Sequence, residues 1–123
     1  YNEEKRLQRT FKELEKYLSN QTYKYEVIFV NDSSTDKTKE IILNYIANKP
    51  NHHLLDYPQN YGKGFAVREG VLSAKGQYIL FTDADFSTPL DQLEKLLPYI
   101  KKPLMCLLCR FRTLNTMSII CRH

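Results

Sequence analysis

The sequence predicts an α/β fold: a three-layer sandwich around a mainly parallel sheet. Segments with helical apolar spacing alternate with short β-branched and aromatic runs through the first hundred residues. Three of those short runs end in polar loops, as strands joined by right-handed crossovers do. The chain has 123 residues, 42% apolar and 26% charged, which suits one small globular domain or part of a larger one.

Residues 4–18 carry Leu7, Phe11, Leu14 and Leu18 on one helical face and charges on the other. Residues 26–30, Glu-Val-Ile-Phe-Val, read as a buried strand. The loop Asn31 to Asp36 is rich in turn and cap residues. A second helix follows over roughly 36–47, with Ile42, Tyr45 and Ile46 on one side, until Asn48-Lys49-Pro50-Asn51 breaks it. His53 to Tyr57 is a second strand, residues 64–74 a third helix, and Tyr78 to Thr82 a third strand. Thr88-Pro89-Leu90-Asp91 resembles a capping box with proline at the first helical position, and predicts a fourth helix over 89–99.

Charge divides the chain at about residue 100. Residues 1–100 hold 13 Lys+Arg against all 14 Asp+Glu, whereas 101–123 hold five basic residues, no acid and all three cysteines. The overall pI of about 8.9 therefore comes from the tail, and the body carries no basic footprint for nucleic acid. Residues 101–123 are expected to pack loosely and to contribute little to any site, although Leu104, Leu107, Leu108, Ile119 and Ile120 could cover exposed core as a short helix or strand. The longest apolar run, Leu104 to Cys109, is far short of the ~18 residues of a membrane-spanning helix. The polar opening Tyr-Asn-Glu-Glu-Lys-Arg does not read as a secretory leader.

In such folds ligands bind beyond the carboxyl ends of the strands, and two acidic clusters fall there. Asp83-Ala84-Asp85 ends the third strand. Two carboxylates at i and i+2 can share one patch of space, where they repel unless a cation lies between them. Mg²⁺ and Mn²⁺ prefer such oxygens and commonly bridge one or two carboxylates to a substrate diphosphate. The plainer alternative is a pair of solvated turn aspartates. Asp32 follows the first strand and is placed to accept from a base N–H or a ribose hydroxyl, whereas Asp36 reads as the cap of the next helix. Gly62-Lys63-Gly64 opens a helix and could hold an anion, but it matches no phosphate-loop pattern and reads first as a tight turn. Cys106, Cys109, Cys121 and His123 could form a zinc site, though the downstream pair is too closely spaced for usual ligands. His52 and His53 read as surface residues of a polar turn.

Four stretches, Tyr1-Asn2-Glu3-Glu4, Glu26 to Thr38, Asn60 to Gly70 and Thr82 to Pro89, stand in the order found in family 2 glycosyltransferases. The chain resembles the polyprenyl-phosphate branch of that family, of the dolichyl-phosphate β-glucosyltransferase type, over about residues 1–100. The resemblance implies a partial GT-A nucleotide-sugar-binding fold and inverting transfer from a nucleotide sugar, UDP-glucose, to a polyprenyl or dolichyl phosphate at a membrane surface. It implies a cytosolic location, or the cytosolic face of the endoplasmic reticulum membrane in a eukaryote. By matching position, Tyr1 and Glu3 would lie beside the nucleotide, Asp32 would contact the base and Lys63 would approach the nucleotide. Asp83 would face the ribose or the metal, and Asp85 would bind Mg²⁺ or Mn²⁺ on the diphosphate. In that family a first strand precedes Tyr-Asn-Glu and further strands follow residue 100, so the expected entity is the nucleotide half of the enzyme with an atypical end. A nucleotide-binding module without catalysis and a small zinc-binding interaction protein are the alternatives.

Overall fold

The computed structural model describes residues 2–76, 78–83, 90–100 and 117–122. Along these run α1 (Glu4–Leu18), β1 (Tyr25–Asp32), α2 (Thr38–Ile46), β2 (His52–Tyr57), α3 (Lys63–Ser73), β3 (Tyr78–Asp83), α4 (Gln92–Ile100) and β4 (Met117–Arg122). Seven of these elements match the predicted ones to within three residues at either end. Thr88 and Pro89 of the expected capping box lie outside the described residues.

The sheet order is β2-β1-β4-β3. β1 and β2 are parallel, with Val27 opposite His52 and Asp32 opposite Tyr57. β4 is antiparallel to both of its neighbours, and its Met117 stands opposite Val30 on one side and Asp83 on the other. The strands β1, β2 and β3 therefore point the same way, and their carboxyl ends share one rim.

Every residue of β1 after Tyr25 is buried, as befits a strand covered on both faces. Val27 and Phe29 face α1, α2 and the start of α4, in a core with Leu7, Leu14, Ile42 and Leu90. Ile28 and Val30 face α3 through Ala66. The three layers are thus α1, α2 and α4, then the sheet, then α3. In the first core Phe11 stacks on Tyr45 with ring centroids 3.7 Å apart, and Phe29 meets both edge-on.

Two sequence expectations give way. The sheet is mixed where a mainly parallel one was expected, because residues 117–122 enter it as an antiparallel strand between β1 and β3, the strand alternative for the tail. The physical reason is that β1 and β3 each present a row of N–H and C=O groups to the slot between them. The Met-Ser-Ile-Ile-Cys-Arg run satisfies both rows at once. Residues 101–116 and His123 lie outside the described residues.

His52 is the second. It is 7% exposed, and it packs against the rings of Tyr25, Phe29 and Tyr45. Its Nδ1 pairs with Asn51 Oδ1 at 2.9 Å, which assigns the proton to Nδ1 and leaves Nε2 buried without a partner. Burial, helped by the Lys49 charge, pushes its pKa down to about 4.

Two outcomes follow. The folded state binds fewer protons at His52 than the unfolded chain between the unfolded value of about 6.5 and about 4. Stability is complete above that window and falls as pH drops through it, by about 2 kcal/mol between pH 7 and pH 5. Urea melts at both pH values should show the loss, and His52→Phe should remove most of it; an equal loss in the variant would contradict the assignment. A chain ending at residue 116 should lose several kcal/mol and associate through its opened sheet. An unchanged urea midpoint would show that β4 is dispensable.

Candidate functional site

The rim at the ends of β1 and β3 is built by side chains that hold backbone. Asp32, the last residue of β1, is 4% exposed. Its Oδ1 accepts the Tyr61 N–H at 2.8 Å and its Oδ2 the Gly62 N–H at 2.7 Å. Asn60 adds a bond from its side-chain amide to the Asp32 carbonyl at 3.3 Å. Gly62 has φ +88°, a left-handed conformation that glycine adopts without penalty, and α3 begins at the next residue. The Asp32 carboxylate so stands at the positive end of the α3 dipole.

Lys63, the first residue of α3, points across the rim. Its Nζ donates to Asp83 Oδ1 at 2.8 Å and lies 5.7 Å from the centre of the Phe81 ring. The Asp83 side chain is 2% exposed and that of Lys63 28%. Asp83 Oδ2 is buried and has no hydrogen-bond partner among the described residues. A buried carboxylate oxygen is costly to leave unpaired. Such an oxygen can accept from a hydroxyl or ligate a cation.

The loop after β1 is fixed by a second network. Asn31 is 1% exposed; its amide donates to Asp56 Oδ1 at 2.7 Å, and Lys39 binds the other Asp56 oxygen at 2.7 Å. Ser34 Oγ donates to Asn31 Oδ1 and accepts the Asn2 N–H at 3.0 Å. Burial alone would raise the Asp56 pKa, but the Lys39 and Asn31 bonds carry it below the usual range. Asp36 is lowered in the same way: hydrogen bonds from Thr38 and the Glu4 N–H outweigh its burial. Its Oδ1 takes the Thr38 N–H at 3.0 Å, so it satisfies a free donor of the first turn of α2 from one residue before the N-cap, which is Lys37 and not the expected Asp36. Ser33 carries the turn at φ +58°.

The structure thus brings three of the predicted site residues, Asp32, Lys63 and Asp83, to one rim. Glu3 is 6% exposed and near the same loop: its N–H donates to Thr38 Oγ1 at 2.9 Å, and its carboxylate lies 3.5 Å from Arg6. Tyr1 and Asp85 lie outside the described residues. Among the described residues no three His, Cys, Asp or Glu side chains gather as a metal cluster. Of the suggested zinc ligands, Cys106, Cys109 and His123 lie outside the described residues and Cys121 falls in β4.

Sequence reasoning missed the Asn31–Asp56–Lys39 network, whose one signal was a polar Asn closing an apolar strand. It also missed an aromatic cluster beside the rim. Phe65 lies 4.9 Å from Tyr57 and 4.5 Å from Tyr61 between ring centroids, and Tyr61 is half exposed. A shallow hollow at the start of α2, lined by Glu4, Ser34, Asp36, Lys39 and Glu40 among others, mixes charges of both signs. The orphaned Asp83 oxygen is not part of its lining.

Removing the Asp32 carboxylate strands two N–H donors. Asp32→Ala should cost about 2–4 kcal/mol in urea unfolding, and Asp32→Asn, which keeps one acceptor, roughly half as much. A loss below ~0.5 kcal/mol for the alanine variant would show that the bonds to Tyr61 and Gly62 do not order the loop.

The sequence profile of Glycosyl transferase family 2 matches residues 1–118. A dolichyl-phosphate beta-glucosyltransferase of Trichomonas vaginalis is 43% identical over 106 residues, which is 82% of this chain and 33% of that protein. The dolichyl-phosphate beta-glucosyltransferase of Dictyostelium discoideum is 34% identical over 92% of this chain and 38% of its own length. The mouse dolichyl-phosphate beta-glucosyltransferase is 41% identical over 78% of this chain and 32% of its own. The chain therefore spans about a third of the length of these relatives. No solved structure matches it. The profile match over nearly the whole chain, the α/β sheet and the order of its motifs place this chain in glycosyl transferase family 2.

Proposed function

We propose that this chain provides the donor-nucleotide part of a sugar transferase whose donor is UDP-glucose and whose acceptor is dolichyl phosphate or a related polyprenyl phosphate at a membrane surface. The observation that carries the reading is Asp83: a carboxylate 2% exposed at a strand end, with one oxygen on Lys63 and the other unpartnered among the described residues. The names of the similar proteins support the lipid-phosphate acceptor. Among the described residues no helix is long and apolar enough to cross a membrane.

The orphaned oxygen of Asp83 fits a divalent cation, Mg²⁺ or Mn²⁺, which binds through carboxylate and phosphate oxygens. Asp83 would hold it, with Asp85 as the second carboxylate that the family resemblance supplies. A cation held by these residues would supply positive charge against the negative charge of a departing nucleoside diphosphate. The other roles fall to the chain itself. Asp32 keeps the Tyr61–Gly62 backbone in place, and Lys63 supplies a positive charge within reach of the diphosphate. In inverting transfer an acceptor phosphate oxygen attacks C1 of the sugar from the side opposite the diphosphate. The C1–O bond to the diphosphate breaks as the new C1–O–P bond forms. The acceptor is already an anion, so the step needs no strong general base.

Calorimetric titration with UDP in Mn²⁺ tests the reading. Wild type should bind UDP, and chelating the metal should weaken binding at least tenfold, about 1.4 kcal/mol. Asp83→Asn should abolish the metal dependence. Binding unchanged by chelation would rule out the metal role. Transfer of labelled glucose from UDP-glucose to a polyprenyl phosphate, with the chain in its complete enzyme, distinguishes a transferase from a binding module.

A further inference from the structure

Lys63 occupies one side of the carboxylate at which the divalent cation would bind. Its ammonium neutralises an aspartate that is 2% exposed, and a buried carboxylate is unfavourable without a counter-charge. We propose that Lys63 is an exchangeable counter-ion. With no nucleotide bound it holds Asp83; when the donor enters it moves to the diphosphate and yields Asp83 to the metal. The inference rests on the nucleotide-site reading above and adds an order to it: metal and nucleotide bind as a pair.

Three features support the exchange. Lys63 starts α3, so its backbone is fixed by the Asp32-held turn while its four-carbon stem remains free to swing. Its side chain is 28% exposed, so it is not sealed in beside Asp83. An ammonium has three donors, and its bond to Asp83 Oδ1 takes one. Two cations on one carboxylate repel strongly at close range. A metal arriving alone must therefore displace Lys63 or tolerate it. A metal arriving with a diphosphate gives the ammonium new oxygens to bind, and the conflict disappears.

The test is Mn²⁺ binding without nucleotide, read from the free-ion electron paramagnetic resonance signal and needing no activity. Lys63→Gln should bind Mn²⁺ alone about tenfold more tightly than wild type, while its affinity for UDP in saturating Mn²⁺ falls. Lys63→Met should behave alike, which guards against a fold effect of one side chain. Lys63→Arg, which keeps the charge, should retain the weak metal binding of wild type. Adding Asp83→Asn to Lys63→Gln should erase the gain, placing it at this carboxylate. If wild type binds UDP with Mn²⁺ but neither neutral variant tightens Mn²⁺ binding alone, the exchange is wrong and the nucleotide site stands. If wild type fails to bind Mn²⁺ even with UDP, both readings fall.

Discussion

Asp32 lies at the end of the most buried strand, and its two oxygens accept the N–H groups of Tyr61 and Gly62. That interaction sets the left-handed turn at Gly62, the turn sets the first residue of α3, and the first residue of α3 is the lysine that reaches Asp83. The carboxylate ties the end of β1 to the loop that opens α3, and Lys63 carries the connection on to the end of β3. Without it the segment 58–62 would keep the Asn60 and Ser33 bonds and the Tyr61 ring contacts, and the Lys63 ammonium would be presented from a less constrained loop. Bonds from backbone N–H groups to an ionised acceptor are stronger than neutral ones, and here they are shielded from water.

The sheet supplies the frame for this arrangement. β1 is covered by helices on both faces, so its register is strongly specified, and a slip of one residue would turn Phe29 and Val27 away from the aromatic core. β3 reaches the same rim across β4, with Val30 and Asp83 at one level on either side of Met117. The apolar cores thus position the polar rim, whose two aspartates are themselves buried at the strand ends. Stability and site chemistry are held by different sets of residues, apart from the buried carboxylates that serve both.

Much of this was legible in the sequence. The helical spacing of Leu7, Phe11 and Leu14, and the Val-Ile-Phe-Val run, fixed α1 and β1 because burial on one stripe or on both faces leaves a periodic trace. The strand-end aspartates were legible because α/β sheets place ligands there. The partners of those aspartates were not. A carboxylate that accepts two backbone N–H groups thirty residues away has no local pattern, and Gly62-Lys63-Gly64 looked like a plain turn because its anchor lies on another strand. His52 was misread for a similar reason: polar neighbours in sequence hid the aromatic side chains that surround it in space. β4 was legible only as one alternative, a short strand around Ile119 and Ile120, because a slot open on two sides selects for extended backbone and leaves no trace of its position in composition.

The donor nucleotide either binds at the rim between β1 and β3 or it does not. The most direct measurement is the shift of backbone amide resonances in ¹⁵N-labelled protein during titration with UDP and Mg²⁺. The amides of Tyr61, Gly62, Lys63 and Asp83 should move together and report one dissociation constant. Shifts confined to the hollow at the start of α2, or none at the rim at saturating UDP, would contradict binding there.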